Sequence, residues 1–306
     1  MRSIVIALGG NALLNPYGKQ SFDTESRNMD IVAKSIAELC RKGDYRITIT
    51  HGNGSQVGDE LLRNEHAKKF VPKLPFYALN AETQATVGTI IETSILNRFK
   101  KLGMQMPVSV ILAHVLVDQN DSAFGRPSKQ IGPFYNIKEL KEELRQGRFE
   151  YVKVGKQYRR VVASPIPKRI LEVGSIKECA RSGVVVTCGG GGIPVISKNG
   201  RISGVNAVID KDLTTQLLAS SMSADIMVIL TNSDYVYADF PRKTGAIKEI
   251  GASTLRKALD RFEEGTIRPK IEACIKFVEN GGRAAYIGNV YRLPDILNGI
   301  SGTKIV

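Results

Sequence analysis

Asp210-Lys211-Asp212 follows Val208-Ile209 and opens a helical stretch at Leu213, which places a lysine between two acids in the first turn of a helix. The acids belong there. Asp210 suits an N-cap and Asp212 the first turn, and both offset the positive end of the helix macrodipole. Lys211 opposes that field, a mildly unfavourable arrangement unless an anion is bound at the helix start. Arg268-Pro269-Lys270 repeats the oddity, with Pro269 a natural first helical residue and Lys270 just behind it. Two lysines at two helix starts make a candidate phosphate clamp. Lys129 is a third candidate cation, held in Arg126-Pro127-Ser128-Lys129-Gln130-Ile131-Gly132-Pro133-Phe134 on a stiff loop between two prolines. Taken singly, Lys211 also reads as an exposed lysine kept apart by its acids, and Lys129 as an ordinary loop lysine.

Three runs of β-branched and apolar residues stop at glycine: residues 4–8 before Gly9-Gly10-Asn11, 47–50 before His51-Gly52-Asn53-Gly54, and 184–187 before Cys188 and Gly189-Gly190-Gly191-Gly192. Short continuous apolar runs are the pattern of buried parallel strands, and glycine past a strand end lets backbone N–H groups approach an anion. One cluster alone reads as a turn; three after three strands point to a shared phosphate site. Other chemistries lack their spacing. There is no GxxxxGK[ST] loop, no GxGxxG after the first strand, no HExxH or CxxC, and no GxSxG elbow. Of the scattered histidines His51, His66 and His114, the first and last end apolar runs, where a hydrogen-bonded structural imidazole fits better than a catalytic base.

These residues need elements to hold them. Apolar spacing predicts helices at 29–42, 82–101, 137–146, 171–181, 212–221, 253–262 and 269–280, and further strands at 108–113, 161–163, 226–231 and 284–287. That alternation predicts an αβα architecture with a mostly parallel sheet and right-handed crossovers. Residues 118–167, rich in Pro, Gly and charge with one clear helix and the strand Tyr158-Arg159-Arg160-Val161-Val162, form a small excursion suited to a lid. The net charge of +13, from 43 Lys and Arg against 30 Asp and Glu, suits anionic ligands. The basic groups Lys68-Lys69, Lys100-Lys101, Arg159-Arg160 and Lys168-Arg169 lack interleaved aromatics, so nucleotides fit better than nucleic acid. Cys40, Cys179, Cys188 and Cys274 are widely spaced and read as core thiols of a reducing compartment. Neither a signal-peptide core nor a run of transmembrane length is present, so a cytoplasmic protein without membrane partners is expected.

Over nearly its whole length the chain resembles the carbamate kinases, a branch of the amino-acid kinase family. The resemblance rests on Ala7-Leu8-Gly9-Gly10-Asn11-Ala12, His51 to Gly54 with Gln56-Val57-Gly58, Pro127-Ser128-Lys129 with Ile131 to Phe134, and Tyr158 to Val162. It continues through Gly189 to Gly192 with Ile193-Pro194-Val195, Gly204-Val205, Val208 to Leu213, and Pro269-Lys270. It implies one domain over residues 1–306, a three-layer αβα sandwich on an open, largely parallel eight-stranded sheet, usually in a homodimer. An N-terminal acceptor lobe would span 1–183, a protruding subdomain 118–167 within it, and a nucleotide lobe 184–306. By family pattern Gly9, Gly10 and Asn11 face the transferred phosphoryl group, and Gly52, Asn53 and Gly54 approach the acceptor. Lys211 and Lys270 would bind ATP phosphates, Asp212 would orient them, and Lys129 would reach carbamate. Asp210, Thr231, Asp234, Tyr235, Val236 and Pro269 would border the nucleotide. The implied reaction is reversible phosphoryl transfer between ATP and carbamate, giving ADP and carbamoyl phosphate, with Mg²⁺ carried mainly by the phosphates and no metal site of the protein's own. Ser55, Ser128, Gln130, Ala163 and Asn232 depart from the family's usual residues, mostly on the acceptor side. A kinase of another carboxylate or phosphate, and a nucleotide-binding protein without turnover, are the alternatives.

Overall fold

The strand Arg2–Leu8 lies between Tyr45–His51 and Ile226–Thr231, parallel to both, with residues 4–8 fully enclosed. Its side chains alternate between two cores. Ile4, Ile6 and Leu8 join the cluster under the helices Phe22–Lys42 and Phe76–Lys101, whereas Val5 and Ala7 join the one under Lys211–Ser221 and Arg268–Glu279. A strand apolar at every position has thereby two helical layers to serve, which is the three-layer arrangement expected of the pattern. The sheet has eight strands in the order Glu249–Ile250, Thr303–Ile305, Ala284–Asn289, Ile226–Thr231, Arg2–Leu8, Tyr45–His51, Val184–Thr187 and Val108–Ile111. Every neighbouring pair is parallel except Thr303–Ile305 against Ala284–Asn289. It is continuous across residue 184, where Val184–Thr187 sits between Tyr45–His51 and Val108–Ile111. This computed structural model describes residues 1–9, 21–145, 149–239, 242–263 and 267–306. Among them no helix is long and apolar enough to cross a membrane. Cys40, Cys188 and Cys274 are buried free thiols and Cys179 is half-buried.

Several elements differ from the apolar spacing, each for a local reason. The first long helix begins at Phe22 rather than 29, because Ser21 caps it by accepting from the Thr24 N–H and its first turns carry no apolar stripe. The next begins at Phe76 rather than 82: the Phe76 N–H is capped by the side chain of Asn206, a partner 130 positions away. A helix Gly54–Ala67, unforeseen, buries only Val57, Gly58 and Leu61. The strand expected at 108–113 stops at Ile111, and His114–Val117 then joins a separate four-stranded sheet with Pro167–Ile170, Ile193–Lys198 and Arg201–Gly204. The helices expected at 171–181 and 253–262 shorten to Val173–Cys179 and Ala252–Lys257, the latter followed by a 3₁₀ turn Leu259–Arg261.

The excursion is more ordered than its composition suggests. Lys129–Tyr135 and Glu150–Val154 flank Gln157–Val162 in an antiparallel three-stranded sheet, with the helix Ile137–Arg145 beside it. Lys129 therefore opens a strand instead of standing on a loop.

Candidate functional site

Because Ile226–Thr231, Arg2–Leu8, Tyr45–His51 and Val184–Thr187 are parallel neighbours, their C-terminal ends deliver residue 9, residues 52–54 and residues 189–192 to one edge of the sheet. Ligands of open α/β sheets bind outside such strand ends. Two of these glycines, Gly9 and Gly52, do not present their amides to an anion. The Gly9 N–H donates to the Leu230 carbonyl (3.1 Å) and the Gly52 N–H to that of Leu8 (3.1 Å), so both amides continue the sheet ladder rather than facing an anion. Gly10 and Asn11 lie outside the described residues. The amides free of helical partners are those of the first turn after Asn53, which has no side-chain cap; Val57 is the first residue to donate back, to the Asn53 carbonyl (2.8 Å).

Asn53 itself is turned inward. Its Nδ2 donates to Asn80 Oδ1 (3.1 Å) and Thr83 Oγ1 (2.8 Å), and Asn80 Nδ2 continues to the Ala207 carbonyl (2.9 Å). A Cβ at Gly190 would overlap the Asn53 amide, and one at Gly189 the His51 ring, so these glycines make room for the loop packed on them. Gln84 adds a two-way bond to the backbone of Ala113 (3.2 Å each). Asn80 and Thr83 were missed by sequence reasoning; their signal is polar residues at 80, 83 and 84, on the same helical stripe as apolar Val87 and Ile91.

Five charged candidates do meet, though their helices and strands are far apart in sequence. Lys211 and Lys270 each bond a different oxygen of Asp212, the latter at 2.8 Å, and Lys129 Nζ lies 2.6 Å from Asp210 Oδ2. Asp210 also caps its helix, Oδ1 accepting from the Asp212 N–H (2.9 Å) and Leu213 N–H (3.3 Å). Threonines anchor that helix to the sheet edge: Thr215 Oγ1 meets Thr50 Oγ1 (2.6 Å), and Thr214 donates to the Gly191 carbonyl (3.0 Å). The Lys211 side chain is only 12% exposed, not the exposed lysine its flanking acids allow, and Pro269 stands at the start of its helix as expected. At the neighbouring strand end, Thr231 pairs with Asn289, Asp234 accepts from Asn289 Nδ2 (2.9 Å), and the Tyr235 hydroxyl reaches the Ile300 carbonyl (3.4 Å). Val236 is buried, pairs with Ile247 in an antiparallel ladder and gives its N–H to Thr303 Oγ1 (2.8 Å).

The amino acid kinase family pattern matches residues 2–289. The chain belongs to the amino acid kinase family. Within that family it is 37% identical to the carbamate kinase of Thermococcus kodakarensis, over all of this chain and 99% of that protein, and 39% identical to the one from Pyrococcus furiosus over the same shares. A solved carbamate kinase from Giardia lamblia bound to AMP-PNP superposes with a TM-score of 0.89 at 34% identity, covering 100% of this chain and 98% of the other.

The electrostatics of this amino acid kinase site follow from burial and pairing. Burial alone would raise the Asp212 carboxyl, but Lys211 and Lys270 outweigh it and hold the group well below the usual carboxylate range. Asp210 is likewise lowered, with Lys129 overcoming burial. Burial pulls Lys211 down; it acts on Lys270 too, but there the attraction and hydrogen bond of Asp212, with Asp210 added, turn the shift upward. His51 is enclosed, with Nδ1 3.0 Å from the Gly52 carbonyl, an arrangement in which Nδ1 carries the proton and donates. Burial, opposed by that bond and reinforced by Lys211, pushes it down to about 4.

That shift fixes a sign. The unfolded chain binds the His51 proton more readily, so the stability linked to neutral His51 is complete above the unfolded value of 6.5 and is lost as pH falls from there to about 4. The loss amounts to about 3 kcal/mol. Urea unfolding at intervals across this range should show His51→Gln losing less stability than wild type, by about that amount in total; equal losses would contradict a buried neutral imidazole.

Proposed function

We propose that the chain is a carbamate kinase, a phosphotransferase moving a phosphoryl group reversibly between ATP and carbamate, with ADP and carbamoyl phosphate on the other side. The observation that carries this reading is the meeting of Lys211, Lys270 and Lys129, from two helix starts and the subdomain, around Asp210 and Asp212. Three ammonium groups against two carboxylates leave one net positive charge at the strand ends, where a polyphosphate would supply the balance. In this reading Lys211 and Lys270 take the phosphate oxygens, Asp212 orients both, and Lys129 stabilises charge on the acceptor side. The first-turn amides of Gly54–Ala67 would face the acceptor or the transferred group, together with Gly10 and Asn11. Asp210, Thr231, Asp234, Tyr235, Val236 and Pro269 would border ADP.

Phosphoryl transfer passes through a loose transition state with charge spread over the equatorial oxygens, so positioned cations supply most of the catalysis. Carbamate arrives ionised and needs no general base. The buried, neutral His51 with its bond to Gly52 is consistent with that, being a support for the loop. Mg²⁺ would be held chiefly by phosphate oxygens, because Asp212 has both oxygens on lysines and Asp210 serves Lys129 and two backbone amides. The ion's contribution there would be positive charge offsetting that of the phosphates. A homodimer working in the cytoplasm completes the reading, on the strength of the carbamate kinase resemblance.

Two substitutions test it. Lys211→Ala should cut carbamoyl-phosphate-dependent ATP formation about a hundredfold or more while leaving thermal unfolding nearly unchanged, since Lys270 still neutralises Asp212. Turnover within about threefold of wild type, under 1 kcal/mol in the barrier, would remove Lys211 from the mechanism. Lys129→Met should lose most transfer yet keep its ADP affinity by calorimetry, since its contacts are on the subdomain side. Equal losses of both would place Lys129 with the nucleotide instead. Replacing carbamoyl phosphate with other acyl phosphates in the wild-type assay checks the acceptor itself, and faster turnover with one of them would reassign it.

A further inference from the structure

The subdomain's Tyr158-Arg159-Arg160 segment plays no part in the chemistry above, yet Arg160 is among the most completely buried charged residues of the described chain, its side chain 3% exposed. Its contacts fall into two sets. Inside the subdomain, Nη2 lies 2.7 Å from Glu143 Oε2, Nε donates to the Tyr151 hydroxyl (3.3 Å), and the guanidinium stacks 4.1 Å from the centroid of Phe149. Towards the body, Nη1 and Nη2 reach the two oxygens of Glu65 at 3.5 and 3.3 Å. Glu65 is in the last turns of the helix Gly54–Ala67, whose first turn carries the candidate acceptor amides.

Near the start of that helix a second contact joins the same two parts. Gly58 lies against Gly132 of the strand opened by Lys129, so closely that a Cβ at 58 would overlap the Gly132 Cα and N. Apolar packing between the parts is modest: Ile131 and Val162 from the subdomain join Val57, Leu61, Phe76, Leu79 and Val208. A cleft of about 730 Å³, bordered by Leu61, Phe76, Phe124, Phe149 and Val161, opens beside this cluster. With so much open space alongside, the orientation of the subdomain depends on the few points where it touches.

We propose that Arg160 and Glu65, with the Gly58–Gly132 contact, dock the subdomain on the acceptor helix at the angle that brings Lys129 to the site, which makes Arg160 and Glu65 positioning residues for phosphoryl transfer. The guanidinium fork is suited to this because two parallel N–H···O bonds fix direction as well as distance. The pair lies at one end of the helix and the glycine contact near the other, so together they set its tilt against the strand of Lys129. The kinetic part of the proposal rests on the carbamate kinase reading.

The test uses Glu65→Gln and Gly58→Ala in the full chain. Glu65→Gln leaves Glu143 and Tyr151 on Arg160, so the subdomain keeps its own internal bonds and loses its charged tie to the body. Gly58→Ala wedges the parts apart while favouring the helix itself, because alanine is the better helix former. Both should lower kcat for ATP formation from carbamoyl phosphate about tenfold to a hundredfold, with ADP affinity within about twofold of wild type. Hydrogen exchange should rise at the amides of Lys129–Tyr135 in both, with the central sheet unchanged. Wild-type kcat in both variants, or ADP affinity and melting temperature falling in step with kcat, would overturn the docking role. If the wild type itself does not turn over carbamoyl phosphate, the functional reading fails, and exchange decides the docking alone: no rise at Lys129–Tyr135 in either variant refutes it.

Discussion

Asp212 faces two ammonium groups with one carboxylate, its side chain only 3% exposed, and the rest of the site is arranged around that imbalance. Removing three charged groups from water costs several kcal/mol each unless every one is paired and hydrogen-bonded. Asp212 meets the condition by giving one oxygen to each lysine, and its place in the first turn of Lys211–Ser221 adds the favourable field of the helix start. Two positive charges share one negative partner, so the trio is satisfied in geometry but not in charge. The helices must then be immobile, or the lysines would relax towards solvent. Thr50 and Gly191 hold one through Thr215 and Thr214, and the buried face of Ile271, Cys274 and Ile275 holds the other against the core.

What could be read from the chain beforehand divides along the range of the interactions. Strands enclosed on both faces announce themselves, and Val184–Thr187 and Ile226–Thr231 fall where their β-branched runs place them. The Asp210-Lys211-Asp212 start was equally legible, because an N-cap and a macrodipole act within one turn. Start points set by distant partners were not: Asn206 determines where the helix at Phe76 begins, and nothing near residue 76 records it. The helix Gly54–Ala67 escaped notice because Gly52, Gly54 and Gly58 around its start read as a turn, although Val57 and Leu61 lie one helical turn apart on its buried face. The pairing of Lys129 with Asp210, 81 positions apart, belongs to the same class.

The glycine clusters converge as their strands require, but not for the reason that pointed to them. Strand ends followed by glycine do converge on one edge, but Gly9 and Gly52 spend their amides on adjacent strands. Glycine at 189 and 190 is needed for lack of a side chain, which lets the His51 ring and the Asn53 amide lie against backbone. The loop between the strand Tyr45–His51 and the helix Gly54–Ala67 is consequently braced from below by His51, and from the side by Asn80 and Thr83. A braced loop holds the first-turn amides of the helix in fixed directions, which a loop of free glycines would not do.

The two sides of the site therefore differ in how firmly their cations are held. Lys211 and Lys270 are tied to a carboxylate with almost no access to water, and separating them would strand a buried charge at a cost of several kcal/mol. The Lys129 and Asp210 side chains are 33% and 16% exposed, and solvent screens such a pair towards the 1 kcal/mol or so typical of surface ion pairs. Asp210 would lose little if Lys129 moved to an incoming anion, since its other oxygen stays bonded to the amides of Asp212 and Leu213. The fold thus keeps two cations permanently in place on the sheet edge and brings the third on a separately built sheet, where its position depends on how that sheet is seated.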